Sequence, residues 1–211
     1  MKQEINYAIS TSSISTNVSD KVDAGINVNY NKEAEEINIS KVNFPLIFLC
    51  EEKFLFKKIT SYLKNLINEE KEKMVNFPKS NKTTEEDAEI NKSFNVNELP
   101  SIELNEYLTR MNYFLDMEIS TFLISIIYIE RIRNSGISLN EYNKYKLILT
   151  AISLAIKSNE DDIPGFGYLA KVGGIKPEEL KKLELSFLEK IEFKLFVNEN
   201  ELEKFYLDMC L

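Results

Sequence analysis

Two charged residues, Lys157 and Glu184, occupy positions where the sequence pattern otherwise calls for apolar side chains. Lys157 directly follows LILTAISLAI, a run of ten residues without a formal charge. Glu184 falls in the middle of the apolar face of a later helix, a face made of Leu180, Leu183, Phe187, Leu188 and Ile191. An unpaired carboxylate on such a face is strongly unfavourable. We therefore expect Glu184 to meet Lys157, or the polar groups of a partner, at the rim of a helical core.

Spacing alone leaves two roles open for such a pair. It can be a structural ion pair that fixes the packing of two helices, or a polar contact that is offered to a partner protein. The first helix, predicted over residues 140–157, is apolar on every side and should be buried among other helices. The second helix begins at Pro177, with Glu178 and Glu179 in its first turn, where proline and carboxylates suit the free N–H groups.

The rest of the chain predicts further helices and no strand in its second half. Residues 1–41 are rich in Ser, Thr, Asn and Asp and are predicted to form a disordered or weakly ordered tail. Residues 45–74 predict an amphipathic helix, 75–98 a surface loop, 99–197 a helical domain and 198–211 a terminal helix. The predicted fold class is all-α.

Local signals predict several helix ends. Ser120 is the predicted N-cap of the helix TFLISIIYIERIR. Gly173 and Gly174 should end a short helix, GYLAKV. Asn198 and Glu201 form an Asn-x-x-Glu capping pattern for the terminal helix.

Composition excludes several kinds of function. The net charge of −8 argues against binding to a phosphate backbone and favours a basic protein partner. The chain has no histidine, which excludes Ser-His-Asp chemistry and His-ligated metals. Two isolated cysteines and no membrane-length apolar run predict a cytoplasmic or nuclear protein without a membrane or cofactor. Three acidic residues, Glu160, Asp161 and Asp162, lack calcium-loop spacing and predict either a patch for arginines or a solvated turn.

Residues 100–197 resemble the cyclin box, and within it the P-type cyclins related to those of the fungal phosphate-response pathway. The most specific motif is AKVGG, and the ordered combination of motifs makes the resemblance strong. The motifs are Pro100-Ser-Ile, Tyr107 with Arg110, YIER at 128–131, Lys157 at a helix end, YLAKVGGI at 168–175, LE with FL at 183–188, and FKL at 193–195.

The resemblance implies a single five-helix cyclin box with an additional N-terminal helix and a short C-terminal helix. It implies a non-enzymatic subunit that forms a heterodimer with a cyclin-dependent kinase and positions the kinase αC helix. Lys157 and Glu184 would bond to the kinase around that helix. Leu188, Phe193 and Leu195 match the family's apolar contacts to the same helix.

Two departures from the family pattern qualify this expectation. Glu130 replaces the usual aspartate of the YIDR motif, and the arginine of the Met-Arg-Ala-Ile-Leu motif has no counterpart near Ser101. As our own hypothesis, residues 160–162 reach the kinase arginines that otherwise hold an activation-loop phosphate. The alternatives are a cyclin-fold scaffold that activates no kinase and a transcription-factor-B-like fold that contacts DNA.

Overall fold

The computed structural model describes residues 52–76 and 85–210, and within these two ranges every regular element is an α-helix. The predicted all-α fold class is therefore confirmed. The predicted tail, residues 1–41, lies outside the described residues, as does Cys50. The helices are α1 (Glu52–Asn76), α2 (Glu85–Phe94), α3 (Leu104–Leu115), α4 (Ile119–Asn134), α5 (Lys144–Asn159), α6 (Phe166–Gly173), α7 (Pro177–Lys190) and α8 (Glu199–Cys210).

Helix α5 lies at the centre, as its uncharged sequence predicts. Every residue from 147 to 156 is buried, and the helix packs against α4, α6 and α7. The two hydroxyl side chains inside this run have hydrogen-bond partners, so their burial is tolerated. Thr150 Oγ1 donates to the carbonyl of Lys146 at 2.7 Å, and Ser153 Oγ donates to the carboxylate of Glu184 at 2.6 Å.

Helices α3, α4, α6 and α7 make up the rest of this helical domain, and the two glycines of AKVGG explain how α6 fits. A Cβ atom at Gly173 would lie 2.1 Å from Cδ2 of the fully buried Leu149, so only glycine lets α6 approach α5 this closely. Gly174 has φ +77° and ends α6 in the left-handed conformation that favours glycine. The predicted helix stop is therefore present, with a different physical reason at each glycine.

The predicted N-cap at Ser120 is wrong. Helix α4 begins at Ile119, two residues earlier than predicted, and Glu118 is its N-cap. The Ser120 hydroxyl donates to the Glu118 carboxylate at 3.2 Å instead of accepting a backbone N–H. The backbone N–H of Glu118 donates to the carboxylate of Glu160, at 2.9 Å, from the loop after α5. A tertiary contact, which sequence spacing does not report, determines this helix end.

Helix α1 packs on α3, α4 and α8 with its predicted apolar stripe, which includes Leu55, Ile59, Leu63, Leu66 and Ile67. The Tyr62 hydroxyl donates to the Glu130 carboxylate at 2.7 Å, and Arg133 donates to the same carboxylate. Burial is the largest cause, and this hydrogen bond the second, of a raised pKa for Tyr62. The hydroxyl therefore stays protonated and continues to donate. Glu130 of α4 thus connects α1 to α4 through a side-chain hydrogen bond.

The C-terminal helix α8 begins as its capping pattern predicts. The side-chain oxygen of Asn198 accepts the backbone N–H of Glu201 at 2.9 Å. The Glu201 side chain does not close the reciprocal bond of a capping box, because it forms an ion pair with Arg131 at 2.7 Å.

The predicted surface loop at 75–98 is wrong in one respect, because it contains helix α2. Phe94, at the last turn of this helix, is completely buried, and its ring contacts Phe187 of α7 edge to face, with centroids 6.3 Å apart. Ile90 and Phe94 form only one i, i+4 apolar pair in an acidic sequence, which is too short a pattern to predict a helix. Packing on α7 supplies the stability that the local sequence lacks.

Candidate functional site

The structure places Lys157 and Glu184 in direct contact. Lys157 Nζ lies 2.6 Å from Oε1 and 2.7 Å from Oε2 of Glu184. Oε1 also accepts the hydroxyl of Ser153 at 2.6 Å. Both carboxylate oxygens therefore have partners, which offsets the cost of burying the side chain of Glu184, a residue that is only 9% exposed. The contact inferred from the two sequence anomalies is present.

Two helices and one aromatic ring hold the lysine. Lys157 lies in the last turn of α5, where a cation is favoured by the helix dipole. Ser153 lies one turn earlier on the same face. The Phe166 ring at the start of α6 is 4.4 Å from Nζ, within cation–π distance. The Lys157 side chain is still 32% exposed, so this bonded group lies at the surface and can face a partner.

The predicted apolar contact residues differ in exposure. Phe193 is 62% exposed, whereas Leu188 and Leu195 are half-buried and pack against the core. The backbone N–H of Phe193 donates to the carbonyl of Leu188 at 2.8 Å, so the turn after α7 folds back on its last helical turn. Phe193 is therefore the most accessible of these three side chains.

The acidic cluster divides into two parts. Glu160 is half-buried, and its carboxylate bonds to the start of α4 as described above. Asp161 and Asp162 are exposed in the loop between α5 and α6. Of the three acidic residues in this cluster, Asp161 and Asp162 are therefore the two whose side chains are exposed, shortly after the end of α5.

Sequence reasoning missed three residues around this site. Ser153 is a ligand of the Glu184 carboxylate, Phe166 covers the Lys157 ammonium, and Phe196 is 82% exposed immediately after the FKL motif. A spacing of four between Ser153 and Lys157 could have indicated a shared helix face. Nothing in the sequence separates Phe166 or Phe196 from ordinary core phenylalanines.

Helices α3 to α7 are five in number, with the buried α5 third among them, and the lysine near the end of α5 pairs with a glutamate of the fifth, α7, as the resemblance to the cyclin box implies. The family model described as Cyclin matches residues 53–195, which is more than half of the chain. The chain belongs to the cyclin family.

Curated relatives confirm the resemblance to the P-type group. Cyclin-U2-2 of Arabidopsis thaliana is 35% identical over 114 residues, covering 53% of this chain and 50% of that protein. Cyclin-P4-1 of Oryza sativa subsp. japonica is 32% identical over 100 residues, covering 46% and 47%. The PHO85 cyclin-like protein psl1 of Schizosaccharomyces pombe is 32% identical over 121 residues, covering 56% and 49%. The chain thus spans about half the length of the curated relatives it matches.

Proposed function

We propose that this chain is a non-catalytic regulatory subunit that binds and activates a cyclin-dependent serine/threonine kinase as a heterodimer, in the cytoplasm, the nucleus or both. The observation that favours this role most is the Lys157–Glu184 pair. The two side chains are hydrogen-bonded to each other at the surface end of the central helix. By the resemblance, they match kinase-binding residues of cyclins. The name of the Schizosaccharomyces pombe relative, a PHO85 cyclin-like protein, agrees with this class of function.

The proposed mechanism is selection of one kinase conformation. A protein kinase is active when the glutamate of its αC helix pairs with the lysine that holds the ATP phosphates. A cyclin that binds only this arrangement shifts the kinase population towards it. Lys157 and Glu184 would bond to the backbone around the αC helix. The Lys157 side chain is 32% exposed, and each carboxylate oxygen of Glu184 can accept more than one hydrogen bond. Leu188, Phe193 and Leu195 would supply apolar contact to the same helix.

A reconstitution assay tests this function. Purified chain is titrated into a panel of purified, unphosphorylated cyclin-dependent kinases, and peptide phosphorylation and complex mass are both measured. We expect one-to-one complex formation with at least one kinase and an increase in its phosphotransfer rate. Binding without any rate increase would identify a scaffold, and salt-sensitive DNA binding without kinase binding would favour the transcription-factor-B-like alternative.

Charge reversal of the exposed residues Asp161 and Asp162 should affect the unphosphorylated kinase more than the phosphorylated kinase. We expect Asp161→Lys with Asp162→Lys to weaken activation of the unphosphorylated kinase by about 10-fold and that of the phosphorylated kinase much less. The reason is that a phosphate on the activation loop would already hold the kinase arginines. Glu160 is kept, because its bond to Glu118 stabilises the fold.

The matched control for this prediction is the double reversal Glu199→Lys with Asp208→Lys, which makes the same change in net charge at two exposed positions of α8. Activation is measured over a range of salt concentrations. Equal losses for the two double variants, or equal losses for both kinase states, would contradict the proposed arginine contact.

A further inference from the structure

The turn after α7 has an unusual backbone. Glu192 and Phe193 both have φ +55°, a left-handed conformation that residues other than glycine seldom adopt. Two such residues in succession persist only where surrounding contacts fix the backbone. Among the described residues, Asp116 alone shares this feature outside glycine.

Two side chains of α4 hold the backbone of the three residues that follow these left-handed positions. Arg131 Nη1 donates to the carbonyl of Lys194 at 2.5 Å, and Arg131 Nη2 donates to the carbonyl of Phe196 at 3.0 Å. Between them, the Tyr128 hydroxyl donates to the carbonyl of Leu195 at 2.8 Å. Two residues one helical turn apart thus hold three consecutive carbonyls. We call Tyr128 and Arg131 together the carbonyl clamp.

The segment that the clamp holds carries two exposed aromatic side chains at its ends. Phe193 precedes the three held carbonyls, and Phe196 contributes the last of them. Their exposed fractions are 62% and 82%. Large aromatic residues are the usual anchors of protein interfaces, and a rigid backbone lowers the entropy lost when they bind.

The clamp also reaches the end of α5. The Tyr128 hydroxyl lies 3.0 Å from Ser158 Oγ, and Ser158 follows Lys157 directly. One hydrogen-bond network therefore joins the turn after α7 to the helix end that bears the Lys157–Glu184 pair. The turn after α7 is therefore hydrogen-bonded through Tyr128 to the last turn of α5, which also carries Lys157.

We propose that Tyr128 and Arg131 are positioning residues for kinase binding and that Phe196 is a kinase-contacting residue. The clamp holds the backbone of 194–196 so that Phe193 and Phe196 meet the kinase in a fixed arrangement. This inference rests on the proposed function, since it extends the same binding surface.

The test measures kinase affinity, thermal stability and amide hydrogen exchange in the full chain. Phe196→Ala should weaken binding by about 10-fold without lowering the melting temperature. Tyr128→Phe and Arg131→Lys should each weaken binding by several fold and accelerate exchange in residues 192–197. Tyr128→Phe removes only the hydroxyl, and Arg131→Lys keeps the charge but loses the two-pronged donor.

Two control variants separate positioning from general destabilisation. Glu201→Gln removes the ion pair with Arg131 but leaves the donors to the carbonyls, so affinity should change by less than about twofold. Tyr142→Ala removes an aromatic side chain that is 54% exposed at the opposite end of α5, and it should leave binding unchanged.

A mutant cycle decides the question. With Phe193 and Phe196 both replaced by alanine, Arg131→Lys should cause less than about a twofold further loss, because its effect acts through those two rings. An undiminished loss in that background, or wild-type affinity for Phe196→Ala, would overturn the inference. If Glu184→Ala weakens binding while Phe196→Ala keeps wild-type affinity, this inference alone fails. If the wild-type chain binds no kinase, the proposed function fails and this inference fails with it.

Discussion

Glu184→Ala is expected to weaken kinase binding by at least about 30-fold, corresponding to the lower end of the ~2–5 kcal/mol for truncating one partner of a buried charge pair at an interface. The substitution removes the acceptor of both Lys157 and Ser153. It leaves an ammonium group that is two-thirds covered and has lost its counter-ion. Titration calorimetry with a kinase that the wild-type chain activates measures the effect.

Lys157→Ala should cause a loss of similar size, because Glu184 then keeps only the Ser153 hydroxyl. Both alanine variants should also lower the free energy of unfolding, so circular dichroism melts accompany the binding data. Glu184→Gln preserves the shape and one acceptor oxygen, and it remains informative if the alanine variant unfolds. Wild-type affinity in folded variants of both residues would show that the pair serves internal packing alone.

The chain offers a closely matched control for this pair. Lys146 and Glu179 also join α5 to α7, with Nζ and Oε1 2.9 Å apart, near the other ends of the two helices. Glu179 is more exposed than Glu184, so the net value of this ion pair is smaller. Glu179→Ala should leave kinase affinity within about twofold of the wild-type value. A loss equal to that of Glu184→Ala would point to the general docking of α7.

Phe94→Ala should lower the free energy of unfolding by about 3–5 kcal/mol, the usual cost of removing a completely buried phenylalanine. The variant loses the edge-to-face contact with Phe187 and leaves a cavity between α2 and α7. Urea denaturation followed by circular dichroism gives the value.

The control for Phe94 is Leu99→Ala, a large apolar residue that is 52% exposed a few positions later in the chain. Its effect should stay within about 0.5 kcal/mol. If Phe94→Ala were equally mild, α2 would contribute little, and residues 75–98 would behave energetically as the surface loop that the sequence predicts.

The central helix and the charged pair could be predicted because each produces a strong local signal. The run before Lys157 is apolar on all faces, which requires burial on all sides. A carboxylate within an apolar stripe requires a partner. Lys157 is a cation at the end of an apolar helix and could supply that partner. The resemblance to cyclins then predicted a kinase-binding role for both residues.

Contacts between distant parts of the chain could not be predicted in this way. The bond from Glu118 to Glu160 sets a helix end, and the bonds from Arg131 to the carbonyls of the last turn set its backbone. Neither contact produces a periodic pattern or a characteristic spacing in the sequence. Helix α2 is a related case. The apolar pair Ile90 and Phe94 is too short a pattern to predict a helix, and the contact of Phe94 with the Phe187 ring is visible only in the structure.

The contact between helices α1 and α8 has a consequence for the order of folding. The rings of Tyr62 and Phe205 meet edge to face, with centroids 5.7 Å apart, across most of the described chain. Closing so long a loop costs more conformational entropy than pairing the neighbours α4 and α5. The central helices should therefore pair early, and the first and last helices should join late. Folding would thus begin around the buried centre and end where α1 meets α8.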